Sequence, residues 1–242
     1  MPLKDLSFGR LLLPREFHQS LAFDRYEVVK FVRQNLPPLL RGGLVLDAGS
    51  GATEEQYFRG MLDAARFHTF DIFVRSGLVY VADIERMPIR EGSYDVALCT
   101  QVLEHVPHPP IAVNELYRVL KPGGHLILTT PQTAFLHEIP HHYFNHTCFG
   151  LRMMLEQAGF EVLKLEPQGG HFRSVGMQLH YTCTVVKSKM TTPLRKILLY
   201  PVLLACSLIF GFLTKLLFKW LDRFDHERKN TLGWNCLCRK PQ

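Results

Sequence analysis

Residues 42–51 read GGLVLDAGSG. Three apolar residues, Leu44 to Leu46, run into an acid, Asp47, and then into glycines at 49 and 51. A short apolar run framed by glycines predicts a buried strand that ends in a tight turn. Glycine lets such a turn take unusual dihedrals and lets backbone come close to a ligand. A nicotinamide site would also want a further glycine and an open helix N-terminus for its pyrophosphate. Here the next residues are ATEEQ, so Glu54 and Glu55 stand where the pyrophosphate would sit. Negative charge there opposes an anion and tolerates a cation.

Working outward, the alternation continues. SLAFDRYEVVKFVRQNL (20–36) has helical spacing and stops at Pro37-Pro38. EEQYFRGMLDAA (54–65) fits a helix, RFHTFDI (66–72) a second strand and GLVYVADI (77–84) a third. YDVALCTQVLEHV (94–106) is a strand running into a helix, and PPIAVNELYRVLKPGG (109–124) is a helix stopped by Pro-Gly-Gly. HLILTTP (125–131) is the fifth strand and FEVLKLEP (160–167) the sixth. Between them Thr147 suits the N-cap and Gly159 the C-cap of CFGLRMMLEQA. Alternating strands and helices imply a Rossmann-like, doubly wound α/β fold with a mostly parallel sheet covered on both faces. Three consecutive strands end in Asp47, Asp71 and Asp83, and ligands of such sheets bind beyond the carboxyl ends of the strands.

The bulk numbers agree with one large domain or a domain with an appendage: 242 residues, 47% hydrophobic, net charge +6. Basic residues gather toward the C-terminal third, which suits an acidic surface such as a membrane. No stripe of Arg and Lys interleaved with aromatics points to nucleic acid. The six cysteines (99, 148, 183, 206, 236, 238) make no C-x-x-C pair and read as reduced, cytosolic thiols. Cys236 and Cys238 share one face of a final strand and read as packing. The opening MPLKDLSFGRLLLPREF has too short an apolar run for a secretory signal.

HEIPHHYFNH (137–146) contains H-E-x-x-H, the zinc-protease pattern. That site needs an unbroken helix to bring both imidazoles to one face. Pro140 removes a helical donor and biases Ile139 away from helical geometry, so a metalloprotease is excluded and the histidines fall in a loop after the fifth strand.

VLDAGSG, ADIERMPIREGSYDVALCTQVLEHV, ELYRVLKPGGHLILTTP and MLEQAGFEV, in this order and spacing, resemble the class I S-adenosylmethionine-dependent methyltransferases. The likeness is nearest to the group related to ubiquinone and menaquinone methyltransferases and covers roughly residues 20 to 166. It implies a seven-stranded sheet and S-adenosylmethionine as cofactor. Gly49 and Gly51 would pass under the methionine part, with Asp47 holding that loop. Asp71 would take the ribose hydroxyls. Asp83 would take the adenine amino group, with Ile84 against the ring. Thr100 and Gln101 would line the methyl-transfer face. The chain departs from the family at the third glycine, replaced around Ala52-Thr53, and in the short link after Asp71.

A subgroup carries P-H-D-Y-F-R-aromatic-T after strand five; here it is P-H-H-Y-F-N-H-T, with His141 at the subgroup's histidine. The resemblance hangs this loop over the transferred methyl and so assigns it to the acceptor pocket. The sulfonium is already activated, so holding donor and acceptor in line carries most of the rate, and a base is needed only for a hydroxyl or acidic-carbon acceptor. His141 or His105 is expected to serve. Some small-RNA methyltransferases of this fold hold a divalent metal with a similar E-H pair and a later histidine. Glu104-His105 with His141 resembles that set, but Gln101 stands where the upstream acid would be, and no metal is assigned.

ILLYPVLLACSLIFGFLT (197–214) is eighteen residues without a charge, followed by KLLFKWLDRF, which puts Leu213, Leu216, Leu217, Trp220, Leu221 and Phe224 at amphipathic spacing. TLGWNCLCRKP then reads as the last strand. If that strand rejoins the sheet, both ends of the apolar run lie on one side. Basic residues on both flanks agree, and Pro201 and Gly211 could break the run. The expectation is a monotopic or re-entrant element in the inner leaflet, or a helical cap on the domain or on a second copy. The domains expected are a cofactor-binding core (1–168), a hydrophobic helical insert (169–230) and a closing strand (231–242). The acceptor expected is a small or lipid-linked molecule, an isoprenoid or quinone type among them, at the cytoplasmic face of the membrane. A soluble sugar or metabolite is the rival acceptor, and a non-catalytic scaffold the rival role.

Overall fold

The computed structural model describes residues 23–40, 42–49, 66–74, 78–188, 209 and 213–242. They fall into two compact units, one within 28–168 and 232–242, the other within 23–27 and 169–231.

The larger unit is built on a seven-stranded sheet of order β3-β2-β1-β4-β5-β7-β6. Its strands are β1 (Val45–Ala48), β2 (Phe67–Asp71), β3 (Tyr80–Val81), β4 (Tyr94–Thr100), β5 (Leu120–Pro131), β6 (Glu161–Pro167) and β7 (Gly233–Arg239). The ladders from β3 through β5 are parallel, and β7 runs antiparallel to both β5 and β6. From β1 the chain steps outward to β2 and β3, then crosses back to β4 on β1's other side. That reversal opens a crevice at the carboxyl ends of β1 and β4.

Helix α1 (Phe23–Asn35) buries Val28, Phe31 and Val32, one stripe at helical spacing, and stops where Pro37 cannot continue it. With Leu36, Val45, Phe67, Val96, Leu98, Ile127 and Leu237 it makes the core of one sheet face. Helices α2 (Pro109–Val119) and α3 (Cys148–Gln157) cover the opposite face, where Leu46, Phe70, Ala97, Leu116, Leu128, Leu151 and Leu155 are all essentially inaccessible. Thr147 caps α3 by accepting the Gly150 N–H at 3.2 Å, and Gly159 turns the chain out at φ +96°.

Two strands differ from expectation. β3 was expected over 77–84 but its ladder holds only Phe70↔Tyr80 and Asp71↔Val81. It stops because Asp83 bends back to accept the Glu85 N–H at 2.9 Å, an Asx turn that competes with extended backbone. β5 starts earlier than 125: Leu120 already pairs with Tyr94, and an irregularity between Tyr94 and Val96 absorbs Pro-Gly-Gly. A Cβ at Gly124 would meet the Lys121 carbonyl oxygen at 2.8 Å, so this close turn admits only glycine.

In the second unit α4 (His171–Ser188) packs on α5 (Thr214–Leu221), which runs into a 3-10 turn, Asp222–Phe224. Most of the apolar run 197–214 lies outside the described residues. Among the described residues no helix is long and apolar enough to cross a membrane. Cys99, Cys148, Cys236 and Cys238 are free thiols. Burial pushes the Cys238 thiol up to about 12 and that of Cys236 well above its usual value, so both are inert packing residues on β7.

Candidate active site

Of the expected cofactor residues, Asp47, Gly49, Asp71, Asp83, Ile84, Thr100 and Gln101 lie at or just beyond the carboxyl ends of β1 to β4. Asp47 is fully buried near the end of β1, one residue into the ladder from the turn. Gly49 follows at φ +84°, and its N–H donates to the Phe70 carbonyl at 2.8 Å, tying the turn to β2 just before Asp71. A Cβ on Gly49 would stand 2.3 Å from Cγ2 of Val102, so glycine is demanded by dihedral and by space. Gly51 lies outside the described residues.

Asp71 ends β2, buried, with Oδ1 accepting the Phe73 N–H at 2.9 Å. Asp83 follows β3 and is exposed, while Ile84 beside it is buried. The loop after them is locked to α2: Arg118 binds Glu115 through Nε at 2.6 Å and reaches the Ile89 carbonyl at 2.6 Å and the Met87 carbonyl at 3.0 Å. Glu115 in turn accepts the Met87 N–H at 2.8 Å. The hydrogen bonds from Arg118 hold the Glu115 carboxyl below its usual range.

Thr100, buried, ends β4. Gln101 then takes a left-handed conformation, φ +54°, which a side-chain-bearing residue holds only when its surroundings enforce it. The enforcement is visible: its N–H donates to the Thr129 carbonyl at 2.9 Å and Nε2 to Thr129 Oγ1 at 3.1 Å.

His105 closes a 3-10 turn, Leu103–His105, and its Nδ1 lies 2.7 Å from the His141 carbonyl. A carbonyl only accepts, so the neutral imidazole carries its proton on Nδ1 and keeps its lone pair on Nε2. Nε2 faces Glu104 Oε1 at 4.0 Å and Glu138 Oε2 at 3.9 Å. Burial pushes His105 below the usual histidine range, against the opposing pull of the His141 carbonyl and the Glu138 carboxylate. The His141 side chain is exposed, with Nδ1 3.1 Å from the Tyr143 hydroxyl. The loop that holds it is not helical, and Ile139–Pro140 is cis.

Sequence reasoning left three residues of this loop unused. His137 and His142 pack against His105 with ring centroids 4.8 and 5.8 Å away, and the His137 and His142 rings meet tilted at 4.3 Å. His146 sits 2.9 Å from Thr130 Oγ1 and is pushed below its usual range by burial. Glu104, His105 and His137 bring one ligand atom each within 4.8 Å of one another, a set that could hold a metal ion. The sequence pairs Glu104 and His105 with His141 for that purpose; the structure puts His137 in that place, because His141 turns its carbonyl rather than its ring toward His105.

The comparisons with known proteins bear on the fold and on residues 47–128. Residues 47–128 match the family described as a methyltransferase domain. A ubiquinone biosynthesis O-methyltransferase of Alkalilimnicola ehrlichii is 32% identical over 93 residues, covering 37% of this chain and 38% of that protein. The chain thus spans well under half the length of this curated relative. A Burkholderia thailandensis 1,6-didemethyltoxoflavin-N1-methyltransferase, solved with bound 1,6-didemethyltoxoflavin and S-adenosylhomocysteine, superposes with TM-score 0.56 at 14% identity, covering 100% and 93% of the two chains. A 4+2 cyclase superposes at 0.54 with 17% identity, covering 88% and 79%. At these identities the two structures share the fold alone. The residues present suit the family's cofactor: acceptor carboxylates at three neighbouring strand ends and a glycine turn with no room for a side chain. Residues 47–128 match a methyltransferase domain, and the seven-stranded sheet built around them has the fold of the solved methyltransferases.

Proposed function

We propose that this chain transfers a methyl group from S-adenosylmethionine to a small-molecule acceptor. The observation that carries the reading is the left-handed Gly49 turn tied to β2 beside Asp71, with Asp47 and Asp83 at the neighbouring strand ends. When bound, the cofactor supplies an activated methyl on a positive sulfur. The chain's part is to bind, orient and exclude water.

In this reading Asp47 holds the glycine loop, Gly49 and Gly51 give it close approach, and Asp71 accepts the ribose hydroxyls. Asp83 and Ile84 hold the adenine, and Thr100 and Gln101 shape the face on which transfer occurs. His105 and His141 handle the proton when the acceptor is a hydroxyl or an acidic carbon. Neutral His105, with its lone pair on Nε2, is the better placed to take that proton, and His141 fixes its tautomer through the backbone carbonyl. No metal is needed in this scheme. Activity lost to a chelator and restored by a divalent ion would hand Glu104, His105 and His137 a ligand role instead.

The acceptor is proposed to be lipid-linked, of the isoprenoid or quinone kind, met at the cytoplasmic face of a membrane. The similarity to ubiquinone biosynthesis O-methyltransferases and the apolar, basic segment after residue 169 support it. A soluble acceptor is the alternative. The test is calorimetric titration with S-adenosylmethionine, repeated on Asp71→Ala. Micromolar binding that the variant loses supports the site; no binding to folded wild type would leave the fold as a scaffold.

A further inference from the structure

Helix α5 and the turn after it carry an outward apolar stripe. Leu213, Leu217, Trp220 and Phe224 follow one another at helical spacing on one side and remain half exposed or more, Leu217 and Trp220 at 51% each. Trp220 and Phe224 meet edge to face at 5.3 Å. The other side of the helix is held. Thr214 is buried, with its hydroxyl donating to the Ile209 carbonyl at 2.7 Å. Asp222 is buried, accepts the Gly170 and Arg173 N–H groups at 3.1 and 3.2 Å, and pairs with Arg173 Nε at 3.0 Å. Rolling the stripe inward would break these bonds at the start of α4.

The charge of the chain is segregated to match. Residues 169–231 contain ten lysines and arginines against three acids, a net of +7, while the rest of the chain has 18 against 19, a net of −1. Arg223, exposed, stands within the stripe's last turn. An apolar protein groove would be satisfied by the stripe alone. An excess of cations on the same segment, with a tryptophan on the apolar side, suits a negatively charged lipid surface.

We propose that Leu213, Leu217, Trp220 and Phe224 form a docking face that lays α5 in the plane of an anionic lipid surface, with the cations of 169–231 drawn to the headgroups. This deepens the membrane-facing part of the function proposed above and does not depend on methyl transfer.

The test is flotation of the full chain with vesicles of phosphatidylcholine, with and without phosphatidylglycerol. Binding is expected with the anionic lipid and should weaken as salt rises. The double variant Leu217→Ser, Trp220→Ser should lose on the order of tenfold in vesicle affinity or more. Because both side chains are exposed, its unfolding midpoint and its titration with S-adenosylmethionine should match wild type. In wild type, brominated lipid should quench Trp220 and spare the buried Trp234. Absent vesicle binding, or binding unchanged in the double variant, overturns the proposal. So does a doubled mass in sedimentation that the double variant returns to one copy, which would give the stripe to a second chain. Wild type that floats with lipid yet does not bind S-adenosylmethionine would overturn the methyl-transfer reading and leave this one standing.

Discussion

Replacing Gly49 by alanine tests the geometry of the site at its narrowest point. Two costs add. At φ +84° an L residue is in the left-handed region, worth about 1–2 kcal/mol. The new methyl would also stand 2.3 Å from Val102 Cγ2 and 3.0 Å from Cγ1, overpacking that typically costs about 1–3 kcal/mol. The expected destabilisation is about 2–5 kcal/mol, read from urea unfolding with an unchanged m-value. Val102→Ala removes both colliding carbons and leaves the dihedral cost. In the double variant the steric share should return, as a coupling of about 1–3 kcal/mol between the two sites. S-adenosylmethionine binding should not return with it, since the turn must still shift. A Gly49→Ala variant within about 0.5 kcal/mol of wild type, or additive single and double variants, would refute the reasoning, because the turn would then be neither left-handed nor pressed on Val102.

Arg118→Ala should cost about 2–3 kcal/mol by thermal or urea unfolding, because charge-assisted bonds to Glu115 and two loop carbonyls are lost together. Arg118→Lys should recover little, since an ammonium cannot reproduce the fork; full recovery would sink that account. Asp222→Ala should cost about 2–3 kcal/mol and open residues 169–231 to limited proteolysis, because it removes one of the two carboxylates, with Glu27, that pair with half-buried Arg173, and it uncaps α4. Stability should fall as pH drops below about 6.5. Burial lowers the native affinities of His105 and His146 for protons, so the unfolded chain binds protons first, and the contribution is whole above that pH. His146→Gln should flatten the curve between pH 7 and 5; an unchanged slope would show that His146 is not held neutral.

The parallel core was legible because buried strands and amphipathic helices leave different periods, and because acids closing three successive strands mark a binding edge. What stayed hidden was set by contacts distant in sequence. β3 reads as eight residues from its apolar content, but the Asx turn of Asp83 stops it after two. Pro-Gly-Gly reads correctly as the end of α2, yet Leu120 joins β5 before it because Tyr94 offers a ladder partner. The left-handed backbone of Gln101 depends on Thr129, and nothing in QVLEHV encodes that. The histidine loop stands out by its composition, but irregular backbone has no period. That His137 rather than His141 turns its ring to His105 therefore could not be foreseen. In sequence the amphipathic segment after residue 213 reads as one stripe. The structure divides it, with Leu216 and Leu221 half-buried and the other four side chains outward.

The place of β7 has a consequence for how the molecule is made. Among the described residues β6 meets the sheet only through β7, and β7 is separated from it by residues 168–232. On the ribosome β1 to β5 can pair as they emerge, but β6 has no neighbour until that whole intervening stretch has been translated. Until then the outer edge of β5, lined by Leu126 and Leu128, offers open donors and acceptors to any other extended chain. Synthesis of this protein should therefore be most vulnerable to misassembly late, and a nascent-chain chaperone should matter more for its yield than its finished stability would suggest.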